Sequence, residues 1–164
     1  MSAEIVIYGM QSRTLFGSAI GRGELGFRYR HVGARLRNGL MISAHWRDGV
    51  KFRHEESAFT HWTDVHIPCT QEQEDAWEAW LRKQVGRKYD WGAIAGMAYS
   101  LISGAPGRGG WTGEWFCASL MYEGLAEPGV NIVTWRPGSI RSVTPEILIW
   151  GLSFIPGSRR DIRS

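Results

Sequence analysis

Residues 30–46 read RHVGARLRNGLMISAHW, and the way this stretch turns back on itself decides the fold. Large and polar residues alternate on both sides of Asn38-Gly39, a dipeptide suited to a tight β-turn. Two hairpins are open to it. A two-residue loop, Asn38-Gly39, would set Arg37 opposite Leu40 and His31 opposite Trp46, with His45 on the other face. A three-residue loop, Arg37-Asn38-Gly39, would set Leu36 opposite Leu40 and His31 opposite His45, with Ser43 diagonal to His31. The last position of the longer loop is left-handed, and Gly39 suits it.

Outward from this hairpin, the first half of the chain keeps alternating. Residues 4–8, 27–36, 40–46, 50–53 and 62–67 are predicted strands, with turns supplied by Gly49 and residues 57–60. The period changes at Thr70, which forms a capping box with Gln73. Ala76, Trp77, Trp80, Leu81 and Val85 then recur at helical spacing until Gly86 ends the run. Asp90 is a candidate cap for a second helix reaching Leu101, and residues 103–113 (SGAPGRGGWTG) read as a loop. A third helix is predicted from about 115–117 to Leu125, and Thr144-Pro145-Glu146 opens a fourth. Strands followed by helices predict a single α+β domain over residues 1–164, an antiparallel sheet packed against helices.

Composition agrees with a folded chain. Of 164 residues, 43% are hydrophobic and 21% charged, enough to fold without disulfides or metals. The net charge of +3 is too small for a nucleic-acid footprint. The excess sits in two groups, Arg28, Arg30, Arg35 and Arg37, and Arg159, Arg160 and Arg163. These are expected to be a solvated strand face and a frayed tail. A sharper alternative is weak attraction to anionic polymers such as cell-wall material. MSAEIVIYGM at the start lacks the pattern of a signal peptide, and residues 91–105 are too short and too rich in Gly and Ser to span a membrane. The expectation is a protein made in and kept in the cytoplasm unless another route exports it, with no membrane insertion.

Two cysteines and five histidines carry the candidate chemistry. Cys117, in GEWFCASLMYEGL, falls in the first turn of a predicted helix, where the helix dipole favours thiolate. The competing reading is a buried structural cysteine. Cys69 precedes a helix too, but outside the cap Thr70 and directly after Pro68, which places it on the loop side of the helix end, less well aimed. A thiolate needs a base. His31 lies mid-strand and is rigidly held, whereas His54 and His61 lie in or beside a turn. Nothing singles out His66. A third group would orient the imidazole, and His45 takes that role only in the three-residue loop. No cysteine–histidine spacing fits a metal site, and no metal or cofactor is expected. GAPGRGG (104–110) lacks the Lys-Ser or Lys-Thr ending of a phosphate loop and reads as a flap before Cys117.

Four segments are similar to the circularly permuted branch of the NlpC-type papain-like superfamily, which includes YiiX-like proteins and lecithin:retinol acyltransferase relatives. RHVGARLRNGLMISA (30–44) resembles the family's histidine hairpin, and DGVKFR (48–53) the strand after it. GRKYDWG (86–92) resembles its Gly-x-x-Tyr segment, and EWFCASLM (114–121) its nucleophile helix. The histidine strand preceding the cysteine helix is the permuted order. The resemblance implies a permuted papain-like fold. It implies that Cys117 attacks a carbonyl carbon, that His31 moves the proton, and that Tyr89 lies near the oxyanion. The family's Ser before the histidine is Arg30 here. Its third polar residue often falls at Ser43, a weak orienter for which His45 could substitute. Ala118-Ser119 replaces the usual pair after the cysteine.

The leading expectation is a thiol hydrolase cutting an amide bond in a peptidoglycan stem peptide or related peptide. Without a signal peptide, a phage tail or lysis context would supply delivery, with phage tail proteins as partners. One alternative keeps the site but transfers the acyl group to another acceptor. The other is a catalytically silent structural or assembly protein of a virion. Nine tryptophans bear on that reading. Most are expected in the core, whereas Trp111 in its Gly-rich loop is a candidate contact for a glycan or partner.

Overall fold

The computed structural model describes residues 3–11, 29, 31–54, 61–92, 95, 116–133 and 143–163. Six strands form one sheet in the order β4-β3-β2-β1-β5-β6, with every neighbouring pair antiparallel. They are β1 (Ala3–Gln11), β2 (His31–Arg35), β3 (Met41–His45), β4 (Gly49–Arg53), β5 (His61–Cys69) and β6 (Arg159–Arg163). Among the described residues, three complete helices accompany them: α1 (Gln71–Gln84), α2 (Cys117–Ala126) and α3 (Pro145–Ser153). The architecture is α+β, as the sequence predicts.

Period-2 alternation divides the sheet into two unlike faces. On one, Ile5, Ile7, Val32, Ala34, Ile42, Ala44, Val65 and Ile67 join Trp77 and Leu81 of α1, Leu120 and Met121 of α2, and Leu148 and Ile149 of α3 in the main core. The other face holds a separate cluster, Tyr8, Met10, Met41 and Trp62. His31, Arg35, Ser43 and Asp64 interleave with that cluster by register.

The helix boundaries follow their caps. Thr70 Oγ1 accepts the Gln73 N–H and Gln73 Oε1 accepts the Thr70 N–H, the capping box expected. Thr144 Oγ1 accepts the Ile147 N–H, with Pro145 in the first turn where its missing N–H costs nothing.

Four expectations need correction. The C-terminal arginines are strand β6, not a frayed tail. Arg159 and His66 share the carboxylates of Glu4 and Asp161, at 2.9 to 3.1 Å, and this polar ring ties β6 to β5 and β1. Arg35 is not on a solvated face; its guanidinium lies 3.6 Å from the fully buried Asp64 carboxylate and 5.5 Å from the Trp62 ring. Cys69 is the last residue of β5, not a loop residue, because Pro68 lies beyond the stretch paired with β6, where its missing N–H leaves no gap in that ladder. Val85 is the exposed C-cap of α1 and leaves the apolar face one turn early. Arg28, Arg30, the turn at 57–60, the helix to Leu101 beyond Gly92, the loop 103–113 with Trp111, and Trp115 lie outside the described residues.

Candidate active site

The hairpin takes the three-residue form. The Leu36 N–H donates to Leu40 O at 2.8 Å, the Gly39 N–H to Leu36 O at 2.9 Å, and Asn38 Oδ1 accepts the Leu40 N–H at 3.1 Å. Gly39 has φ +81°, the left-handed value the last loop position requires. The register pairs Arg35 with Met41 and Ala34 with Ile42, so the same ladder carries His31 opposite His45. Their rings stand 6.3 Å apart, nearly perpendicular.

This surrounding decides the state of His31. Burial, then the charge of His45, then that of Arg53 push its pKa down to about 3. At pH 7 the ring is neutral, with one nitrogen donating and one accepting. Ser43, diagonal to His31 on the same face as His45, is buried, and its Oγ has no hydrogen-bond partner among the described residues. Tyr8 flanks His31 from β1. It pairs with Gly33, its ring centroid lies 6.5 Å from that of His31, and a Cβ on Gly33 would collide with the Tyr8 ring and hydroxyl.

Cys117 opens α2. Phe116 before it is extended, and Ser119 Oγ binds back to Phe116, accepting its N–H at 3.3 Å and donating to its carbonyl at 2.9 Å. No carboxylate occupies the first turn, where it would repel a thiolate. Helix directions locate the end that Cys117 faces. α1 starts beside the β2–β3 loop, where Arg37 meets Glu74 and Asp75, and ends beside β4, where the Gly86 N–H donates to Val50 O. α2 runs back against it: Gly124 abuts Trp77 and Trp80, and the Val130 carbonyl past its C-terminus accepts from Gln73 at 2.7 Å. The N-terminus of α2 is therefore directed to the sheet end where β2 begins with His31 and β3 ends with His45.

The structure thus brings His31 and His45 into contact distance and directs Cys117 to the same end of the sheet. It also sets them on different sides. Cys117 belongs to the helix-side core with Val32 and Ala34, whereas His31 shares the opposite face with Tyr8. Tyr89 packs against the helix-side core and joins His45 through a chain of aromatic contacts. Its ring lies 5.5 Å from Trp91, Trp91 6.1 Å from Trp46, and Trp46 5.9 Å from His45. His54 is exposed past β4, and His66 is engaged in the β6 ring. Sequence reasoning overlooked Arg53 and Tyr8. Strand alternation alone would have found both, since each falls on the His31 face once the register is known.

Among the described residues, no group of three or more His, Cys, Asp or Glu side chains is placed to hold a metal ion. Nor is any described helix long and apolar enough to cross a membrane. Compared with known proteins, the chain matches no family model, no curated protein and no solved structure.

Proposed function

We propose that this protein is a cysteine hydrolase with a permuted papain-like fold, cleaving an amide bond in a peptidoglycan stem peptide or a related peptide. The carrying observation is the pairing of His31 with His45 at the sheet end to which the N-terminus of α2, with Cys117, is directed. In this reading Cys117 Sγ attacks the carbonyl carbon as its proton passes to His31, oriented by His45. The oxyanion is held by the Tyr89 hydroxyl and backbone N–H groups at the start of α2. The C–N bond breaks as His31 returns the proton to the leaving amine. Water then attacks the thioester, again giving its proton to His31, and Cys117 is released. A histidine that stays neutral at pH 7 suits a proton taken during attack better than a standing thiolate–imidazolium pair. Action on a cell wall within a phage tail or lysis apparatus belongs to this reading, supported by the resemblance of the four segments.

A catalytically silent assembly protein is the second reading, favoured by the approach of thiol and ring from opposite faces of the sheet. Alkylation by iodoacetamide separates the two. Ordinary thiol alkylation falls about tenfold per pH unit below a pKa near 8.5. With His31 as base, Cys117 alkylation flattens below pH 7, and His31→Ala restores the tenfold fall. Cys69, whose thiol pKa is raised by burial and by Glu74, serves as the internal reference in the mass spectrum. An ordinary profile at Cys117, unchanged by His31→Ala, would overturn the hydrolase reading.

A further inference from the structure

The two edge strands of the sheet differ. Along β4 the outer edge is occupied: the Val50 N–H donates to Arg87 O and the Gly86 N–H to Val50 O, both at 2.8 Å. Along β6 no described residue makes such bonds on the outer side. An open edge offers its row of backbone donors and acceptors to another strand. The side chains of β6 divide by face. Val65 of β5 belongs to the helix-side core, so its partner Arg160, and Ile162 two residues on, take that side. Ile162 is 70% exposed there, because α3 packs on β1 and β5 and leaves β6 uncovered. Phe154, 75% exposed, stands at the head of the turn from α3 into β6, with its ring 6.1 Å from that of the half-exposed Trp150. Apolar surface of this kind beside an unpaired edge marks an interaction site.

The charges of β6 select the strand that fits. On the face away from the helices, the Arg159 guanidinium and the His66 imidazole reach Asp161 Oδ2 at 2.9 and 3.1 Å, and neither uses Oδ1. Asp161 alternates with arginines at 159 and 163. A wholly acidic strand would suit the arginines but repel Asp161, whereas a strand of mixed sign suits both, and β6 is such a strand. A twofold axis normal to the sheet keeps both helix layers on one side and opposes like faces. Three antiparallel registers then compete. Centred on Asp161, the pairing sets aspartate against aspartate and Arg159 against Arg163. Centred on Arg160, it sets Arg160 against itself. Centred on Ile162, it sets Ile162 against Ile162, Asp161 against Arg163 twice, and Arg160 against the neutral Ser164, with no like-charge pair. We propose that β6 pairs with β6 of a second copy about an axis through Ile162, joining two sheets into one. The proposal goes beyond the hydrolase reading and does not depend on it.

Sedimentation of the full chain over a range of concentrations tests it. The expected result is a concentration-dependent mass reaching twice that of one chain. Ile162→Lys, at an exposed position, should leave the circular dichroism unchanged and the mass that of one chain. Arg163→Glu opposes acid to acid twice and should weaken the dimer by about tenfold. Register is read by cross-linking. Opposed Cα atoms lie about 4.5–5.5 Å apart, within disulfide reach, so Ile162→Cys should form a dimer-linking disulfide under mild oxidation. Arg160→Cys and the unchanged protein, with Cys69 and Cys117, should not. A single-chain mass at every concentration, or a dimer untouched by Ile162→Lys, would overturn the pairing. Cross-linking through Arg160→Cys in place of Ile162→Cys would overturn the register. A single-chain mass with β6 amide signals that shift on adding the peptide Val-Glu-Val-Glu-Val would give the edge to an acidic strand of another protein, and the proposal would fall. Cys117 alkylation plays no part here, so either reading can fail alone.

Discussion

The two faces of the sheet are made by the same strands one residue out of step, and they differ in almost every physical respect. Val32, Ala34, Ile42 and Ala44 on the helix side are fully buried among aliphatic residues of α1, α2 and α3. On the other side, the intervening His31, Arg35, Ser43 and Asp64 are polar, and Tyr8, Met10, Met41 and Trp62 fill the space between them. One face is stabilised by removing apolar surface from water, which is non-directional and tolerant of small shifts. The other depends on distances and orientations, and on groups such as Asp64 that are expensive to bury unless neighbours satisfy them. Strand alternation therefore lets ten residues of β2 and β3 contribute to the core and to a candidate site at once.

The largest test of this contrast is on the helix side. Trp77 is 1% exposed in the middle of the core, and Trp77→Ala should cost about 3–5 kcal/mol in urea unfolding. The same truncation at the solvent-exposed Trp46 should cost under about 1 kcal/mol. A similar loss at both sites would mean that the helix-side cluster is not the main source of stability.

On the opposite face, Gly33→Ala measures how tightly that face is packed. The added methyl meets the ring of Tyr8 and the Ile42 carbonyl, both held by the sheet. Overpacking of this kind costs about 1–3 kcal/mol. The double variant Gly33→Ala with Tyr8→Phe should recover part of that loss by removing the hydroxyl. No recovery would assign the cost to the backbone contact with Ile42.

Protonation of His31 probes the same face through pH. Its folded pKa of about 3 lies below the ordinary value near 6.5. Between those values the unfolded chain binds a proton that the folded ring refuses, so stability falls as pH falls through that window. The slope is at most about 1.4 kcal/mol per pH unit from this one group. In His31→Gln the urea midpoint should fall less between pH 7 and 5.5 than in the unchanged protein. Equal slopes would show that His31 is protonated at its ordinary pKa.

Much of this arrangement was legible in the sequence because local chemistry and tertiary demand agree. Thr70 with Gln73, Thr144 with Pro145, and Asn38-Gly39 each mark an element end through a backbone group that needs a partner or a left-handed φ. Cys117 at the head of a helix followed from the same kind of reading. What escaped was whatever depends on a distant partner. Arg159 to Arg163 reads as a charged tail because Glu4 and His66, which hold it, lie at the other end of the chain or in the middle. Arg35 reads as solvated because Asp64, its partner, is 29 positions away. The sheet face of His31 relative to Cys117 is likewise a property of helix packing, to which hairpin arithmetic is blind.

The smallest expected effect concerns the turn that sets the register. Gly39→Ala forces a side chain into φ +81° with nothing within 4 Å of the new methyl, so strain is its only cost. A single left-handed alanine costs about 1 kcal/mol. The register itself should hold. A slip of one residue in β2 would turn Val32 and Ala34 onto the polar face and Arg35 into the aliphatic core, at a cost well above that of the strain. Cross-strand contacts in the NMR spectrum should therefore still link His31 with His45 in the variant. If they vanish while the fold persists, the loop and not the facing cores specifies the hairpin, and the two faces are less firmly divided than their burial implies.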